Sequence, residues 1–164
     1  MTFDQWLARL ALGDARTSDF PAMALQALAE GYESAQLAAL AGSSAGERSP
    51  SEVQGLLERG LLQVHKVRPT RAEAGRILRQ YYATQVAVGA LAPRTGAARI
   101  VRLATELSDV LPAREFAGDG LGVARLLGLY YSHDDVPWND DRAHAEIDVE
   151  LLDECRRLST ETTA

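Results

Sequence analysis

The residues best equipped for chemistry crowd one stretch of the chain. Tyr130-Tyr131-Ser132-His133-Asp134-Asp135-Val136-Pro137-Trp138-Asn139-Asp140-Asp141 is followed by His144, Glu146, Asp148 and Glu150. Imidazole nitrogens and carboxylate oxygens are ligands for divalent cations. On a helix, Asp140, His144 and Asp148 fall one turn apart on one face, and with His133 and Asp134 they make a candidate metal set. The stretch lacks the spacing and the glycine of an EF-hand loop, and it contains neither Glu-x-x-His nor His-Glu-x-x-His. A plainer reading carries more weight. Asp140 and Asp141 in the first turn of a helix oppose the positive end of its dipole, and the later acids solvate its outer face.

The same stretch can be read as a docking edge for a protein partner, with Tyr130, Tyr131, Asp134, Asp135, Trp138, Asp140 and Asp141 as the contact residues. Trp138 decides how such an edge would work. An aromatic just ahead of a helix usually folds back as a hydrophobic staple, so a place in the core is expected for it, with an exposed anchor as the alternative.

No catalytic residue stands out elsewhere. His65 falls near the end of a helical pattern, where the dipole favours an imidazole as a cap. Cys155, the single cysteine, lies on an apolar helical stripe and reads as a small core residue. With no partner for a disulfide or a zinc site, it fits a reducing cytoplasm. The chain holds no Gly-x-Ser-x-Gly, no P-loop and no dinucleotide fingerprint, so neither an enzyme nor a cofactor is expected.

Charge is laid out in two opposed blocks. Residues 59–102 carry nine basic side chains (Arg59, Lys66, Arg68, Arg71, Arg76, Arg79, Arg94, Arg99, Arg102) against Glu73, a net of +8. Residues 132–154 carry nine acids against Arg142, a net of −8. The arginine density could meet phosphate. A nucleic-acid module is normally basic overall, however, and this chain has a pI near 5.1. Pairing of the two blocks with each other is therefore expected, and nucleic acid is a weaker alternative.

The elements that must position these groups are helical. Ala and Leu dominate the apolar positions, and the β-branched and aromatic residues that strands prefer are scarce. Capping boxes at Thr2/Gln5, Ser49/Glu52 and Thr70/Glu73, prolines at 21, 50 and 93, and glycines at 13, 31, 42 and 89 punctuate the chain. They predict an all-α, irregular bundle of seven to eight helices in a single domain over residues 1–158, with a frayed tail at 159–164. In the second helix Met23, Leu25 and Leu28 are assigned to the core, and in the fourth Leu62 joins Leu57 and Leu61. A loop is expected from Gly42 to Arg48, a break from Pro112 to Gly120, and another loop from Ser132 to Asn139 ahead of Pro137. The last helix should bury Ile147, Leu151, Cys155 and Leu158. The opening residues lack a signal-peptide pattern and no apolar run reaches bilayer length, so no membrane partner is expected.

Three stretches together resemble a group of small bacterial all-helical proteins of unknown function: Trp6-Leu7-Ala8 through Gly13, Ala27-Leu28-Ala29-Glu30-Gly31-Tyr32-Glu33-Ser34 leading to Gly42, and Trp138-Asn139-Asp140-Asp141 before a closing helix. The resemblance implies a bacterial cytosolic helical domain and brings no activity, ligand or catalytic residue. The expected function is a non-enzymatic protein-interaction module, with a toxin-neutralising (immunity) protein as one concrete version. The alternative is a metal-binding domain or metal-dependent enzyme built on His133, Asp134, Asp140, His144 and Asp148.

Overall fold

Capping, more than periodicity, explains where the helices begin. In the computed structural model, which describes residues 1–43, 48–113 and 119–161, eight α-helices and no strand are present among the described residues. They are α1 (Phe3–Ala11), α2 (Phe20–Ala29), α3 (Ala35–Ala41), α4 (Pro50–Gln63), α5 (Arg71–Ala87), α6 (Pro93–Glu106), α7 (Ala124–Asp135) and α8 (Asp141–Thr160), with a 3₁₀ turn at Thr17–Asp19. The boxes at Thr2/Gln5 and Ser49/Glu52 close as expected, and Thr70 and Glu73 exchange the same bonds. Each supplies acceptors and a reciprocal bond to amides that have no partner within the helix.

The chain clusters into two compact units, Met1–Ala74 and Gly75–Ala164. In the first, Phe3, Leu7, Phe20, Met23, Ala27, Leu37, Leu40, Leu57 and Leu61 form a buried core. Gly60 lets α4 approach α3, since a Cβ there would lie 2.8 Å from Leu37 Cδ2. Lys66 Nζ donates to Asp4 at 2.7 Å, and this bond holds the ammonium above its ordinary pKa. In the second unit α6 packs on both α7 and α8, and α7 packs on α8. Leu78, Val86, Ile100, Leu103, Leu107, Leu126, Leu151, Cys155 and Leu158 are buried there. Gly96 allows the close approach of α6 to α5, where a Cβ would collide with Val86 Cγ2.

Several expectations need correction. Leu25 is 63 % exposed and Leu62 74 % exposed. Helix α2 is apolar nearly all round, so its pattern does not select a buried face, and Leu62 lies off the stripe made by Leu57 and Leu61. Ile147 is only half-buried. Ser132–Asp135 belong to α7 rather than to a loop, because Pro137 constrains its predecessor and not the residues before it: Val136 is extended (φ −76, ψ 134). At the other end, α8 continues through Ser159 and Thr160, into the tail expected to fray. The loop expected at 42–48 and the break at 112–120 fall largely on residues 44–47 and 114–118, outside the described residues.

Four helices end in one motif. After α1, α2 and α5 the glycines at 13, 31 and 89 take positive φ, and the next amide reaches back to Arg9, Ala27 and Gln85 carbonyls respectively. After α4 the left-handed position is held by His65 (φ 52), with Lys66 N–H donating to Leu61 at 2.9 Å and His65 N–H to Leu62 at 3.3 Å. His65 is thus a C-terminal cap through its backbone, and its exposed side chain contributes strain. Replacing it with glycine, His65→Gly, is expected to raise stability by about 0.5–1 kcal/mol in a denaturant titration.

Candidate functional site

Proline at position 137 ends α7 and turns the chain, and Asp140 starts α8 by accepting a hydrogen bond from Ala143 N–H on its Oδ1 at 3.0 Å. The tip of this α7–α8 corner is Pro137-Trp138-Asn139. Trp138 is 90 % exposed, which overturns its expected place as a core staple. The turn leaves the indole in solvent instead of packed as a staple. Asp135 and Asp141 flank it and are exposed. Tyr131 is also exposed and Tyr130 half-buried, with their rings edge to face at 5.5 Å. Asp134 accepts from Arg94 Nη2 at 2.7 Å, so it fastens α7 to the start of α6. Of the seven contact residues expected, Asp135, Trp138 and Asp141 therefore make an outward acidic-aromatic edge, while Asp134 and Asp140 serve the local fold.

The metal set is divided by the same geometry. His133, Asp148 and His144 come together: the imidazole centroids lie 4.3 Å apart with their planes tilted by 36°, and His133 Nε2 lies 3.9 Å from Asp148 Oδ1. Asp134 and Asp140 are engaged elsewhere. Among the described residues no group of three or more His, Cys, Asp or Glu side chains is arranged to hold a metal ion. Three atoms of the cluster remain buried without a hydrogen-bond partner: Nδ1 of His133, Nδ1 of His144 and Oδ1 of Asp148.

The basic block is dispersed among different local tasks. Lys66 pairs with Asp4, Arg68 with Glu58 at 3.3 Å, Arg102 with Glu106 at 3.4 Å, and Arg99 lies over the Tyr82 ring. Between the two charge blocks, Arg94–Asp134 is the ion pair found among the described residues. Such exposed pairs contribute about 0–1 kcal/mol each. Arg79 is 5 % exposed and donates to the Leu121 carbonyl at 2.8 Å, so one arginine of the block is a core residue. Glu154 is buried too, held by Arg157 through Nε at 3.0 Å and Nη2 at 2.5 Å. These bonds push the Arg157 guanidinium above its ordinary pKa. Neither Arg79 nor Glu154 is identifiable from spacing alone, though both fall on the same helical stripe as buried apolar residues.

A groove lined by Val86, Val88, Leu91, Pro93 and Leu152 carries one charged side chain, Arg156, already paired with Asp153 at 2.9 Å. It presents no acid–base pair. No helix among the described residues is long and apolar enough to cross a membrane. Compared with known proteins, the chain matches no family model, no curated protein and no solved structure. The resemblance drawn from the Trp6, Ala27 and Trp138 stretches therefore rests on those stretches of sequence alone.

Cys155 is fully buried on α8, as its stripe predicts. Burial, with the neighbouring Glu154 charge, pushes its thiol up to about 11. A thiol above its ordinary range is almost entirely protonated at neutral pH and is a poor nucleophile. Modification of Cys155 by a disulfide reagent at pH 8 should be at least about 100-fold slower in native buffer than in urea, since it awaits local opening. Equal rates would show that α8 is rotated to expose the thiol.

Proposed function

We propose that this chain is a non-enzymatic protein-interaction module that docks a basic partner on the α7–α8 corner. One observation carries the reading: Trp138, a large apolar side chain, stands 90 % exposed at a turn bracketed by Asp135 and Asp141. Tryptophan is enriched among residues that dominate binding energy. Carboxylates around it would steer a basic surface toward the indole and reject an acidic one. Arg94 occupies Asp134 and the α8 amides occupy Asp140, so the edge available to the partner is smaller than the run of acids in the sequence. A toxin-neutralising protein is one form this module could take, and the buried, protonated Cys155 suits a cytoplasmic one.

A photo-crosslinking residue placed at 138 should capture the partner, whose affinity for defined variants then tests the reading. Trp138→Ala should leave the thermal midpoint nearly unchanged and weaken binding by about 2 kcal/mol or more. Asp135→Lys with Asp141→Lys should weaken it most at low salt, where screening is least. Asp140 is left intact in this test because it caps α8. Unchanged affinity in Trp138→Ala would remove the corner as the docking site.

A further inference from the structure

Helix α8 buries Leu151, Cys155 and Leu158 and turns its opposite face to solvent. Ala145, Val149, Leu152 and Arg156 follow one another there at intervals of four, three and four residues, the spacing of a single helical stripe. Val149 is 59 % exposed, Ala145 and Arg156 are exposed, and Leu152 is half-buried. Leu152 and Arg156 also wall the groove that holds Val88, Leu91 and Pro93, and Val88 is 69 % exposed. Stripe and groove therefore make one surface, apolar except for Arg156.

The stripe is complementary to itself. Positions 145 and 156, like 149 and 152, lie symmetrically about the midpoint between residues 150 and 151. Two copies of α8 laid antiparallel therefore set Val149 against Leu152 and Ala145 against Arg156 at the same time, as a two-fold interface requires. Charge selects the same direction. The exposed side chains of the first half of α8 are Asp141, Glu146 and Glu150 against Arg142, a net of −2, and those of the second half are Arg156 and Arg157 against Asp153, a net of +1. Antiparallel copies bring unlike halves together, and parallel copies would oppose like ones. Ala145 is small enough to leave room for the Arg156 stem, and Glu146 beside it offers the guanidinium a carboxylate. Arg156 is bonded to Asp153 through Nη1 and Glu146 to Arg142 through Oε1, but a guanidinium has five donors and a carboxylate accepts several bonds.

We propose that this face of α8 is covered by the same face of a second copy of the chain, antiparallel, in a two-fold dimer. Val149 of each copy packs against Leu152 and the groove of the other, and Arg156 pairs with Glu146 of the other copy. One helix face and one shallow groove are at the small end of specific interfaces, below about 1,200 Å² in total, so the association is weak and depends on concentration. Trp138 lies ahead of α8 and outside the stripe, so the dimer does not rest on the docking reading of the corner.

Sedimentation equilibrium of the full chain tests it. From about 5 to 500 μM the weight-average mass should climb from that of the 17.7 kDa chain toward twice that value. A mass that stays monomeric over the whole range overturns the proposal. Val149→Glu puts a charge into the stripe at an exposed position, so it should preserve the far-UV circular dichroism and raise the dissociation constant at least about 10-fold. Glu146→Arg should also weaken association, and adding Arg156→Glu to it should restore the dimer, because the swap rebuilds the pair in the opposite sense. Association indifferent to Val149→Glu, or no tighter in the double variant than in Glu146→Arg alone, overturns the antiparallel face. If Val149→Glu loses helix content, the wild-type mass and the charge swap decide. Trp138→Ala should leave the mass unchanged; a dimer lost in Trp138→Ala and kept in Val149→Glu would lie at the corner and overturns the proposal as well.

Discussion

Proline cannot donate a backbone hydrogen bond, and its ring excludes helical conformation at the residue before it. At Pro137 this drives Val136 to an extended conformation, ends α7 at Asp135 and compels the chain to turn. The other features of the candidate site depend on that turn. It lifts Trp138 away from the apolar face of α8, which would otherwise receive it as a staple. It also leaves Asp140 at the start of α8, where its carboxylate meets the Ala143 amide, and sends α8 back along α7 so that His144 lies on His133. The Arg94–Asp134 pair then ties the last turn of α7 to α6. An exposed ion pair adds little stability, so the packing of α7 on α6 holds the two helices together.

How legible this was depended on the range of the forces involved. Capping boxes and glycine stops are local, satisfied within a few residues, and the starts of α1 and α4 and the ends after α1, α2 and α5 were readable for that reason. The 3₁₀ turn at Thr17–Asp19 and the positive φ at His65 were not, because the first has no strong signature and the second puts histidine where glycine is the usual occupant. Helix faces were readable only when polar residues marked the opposite side. Helix α8, rich in acids, buried Leu151, Cys155 and Leu158 as expected, whereas α2, nearly all apolar, turned Leu25 outward.

At the site the residue set was visible and its grouping was not. His144 and Asp148 share a face of α8 by simple periodicity, but the approach of His133 is a contact between helices, set by the length of the turn and by packing on α6. The acids were harder to sort. Spacing treats Asp134, Asp135, Asp140 and Asp141 alike, whereas the fold assigns the first to Arg94, the third to a cap, and leaves the second and fourth to solvent. Opposed charge blocks likewise suggested pairing between them, yet among the described residues Arg94–Asp134 joins them, while Lys66, Arg68 and Arg102 meet acids outside the acidic block. Arg79 and Glu154 illustrate the limit: charged residues enter a core only where specific acceptors or donors await them, and those partners are supplied by other turns of the chain.

Docking at the α7–α8 corner requires the Trp138 indole to lie in solvent in the free protein. Its fluorescence can be isolated by Trp6→Phe, which removes the second tryptophan and keeps an aromatic ring at a half-buried position. The predicted emission is that of a hydrated indole, with caesium quenching raised and iodide quenching lowered relative to free tryptophan amide, because the carboxylates of Asp135 and Asp141 attract the cation and repel the anion. Blue-shifted emission insensitive to both ions would place Trp138 in an apolar interior and contradict the corner as a free docking surface.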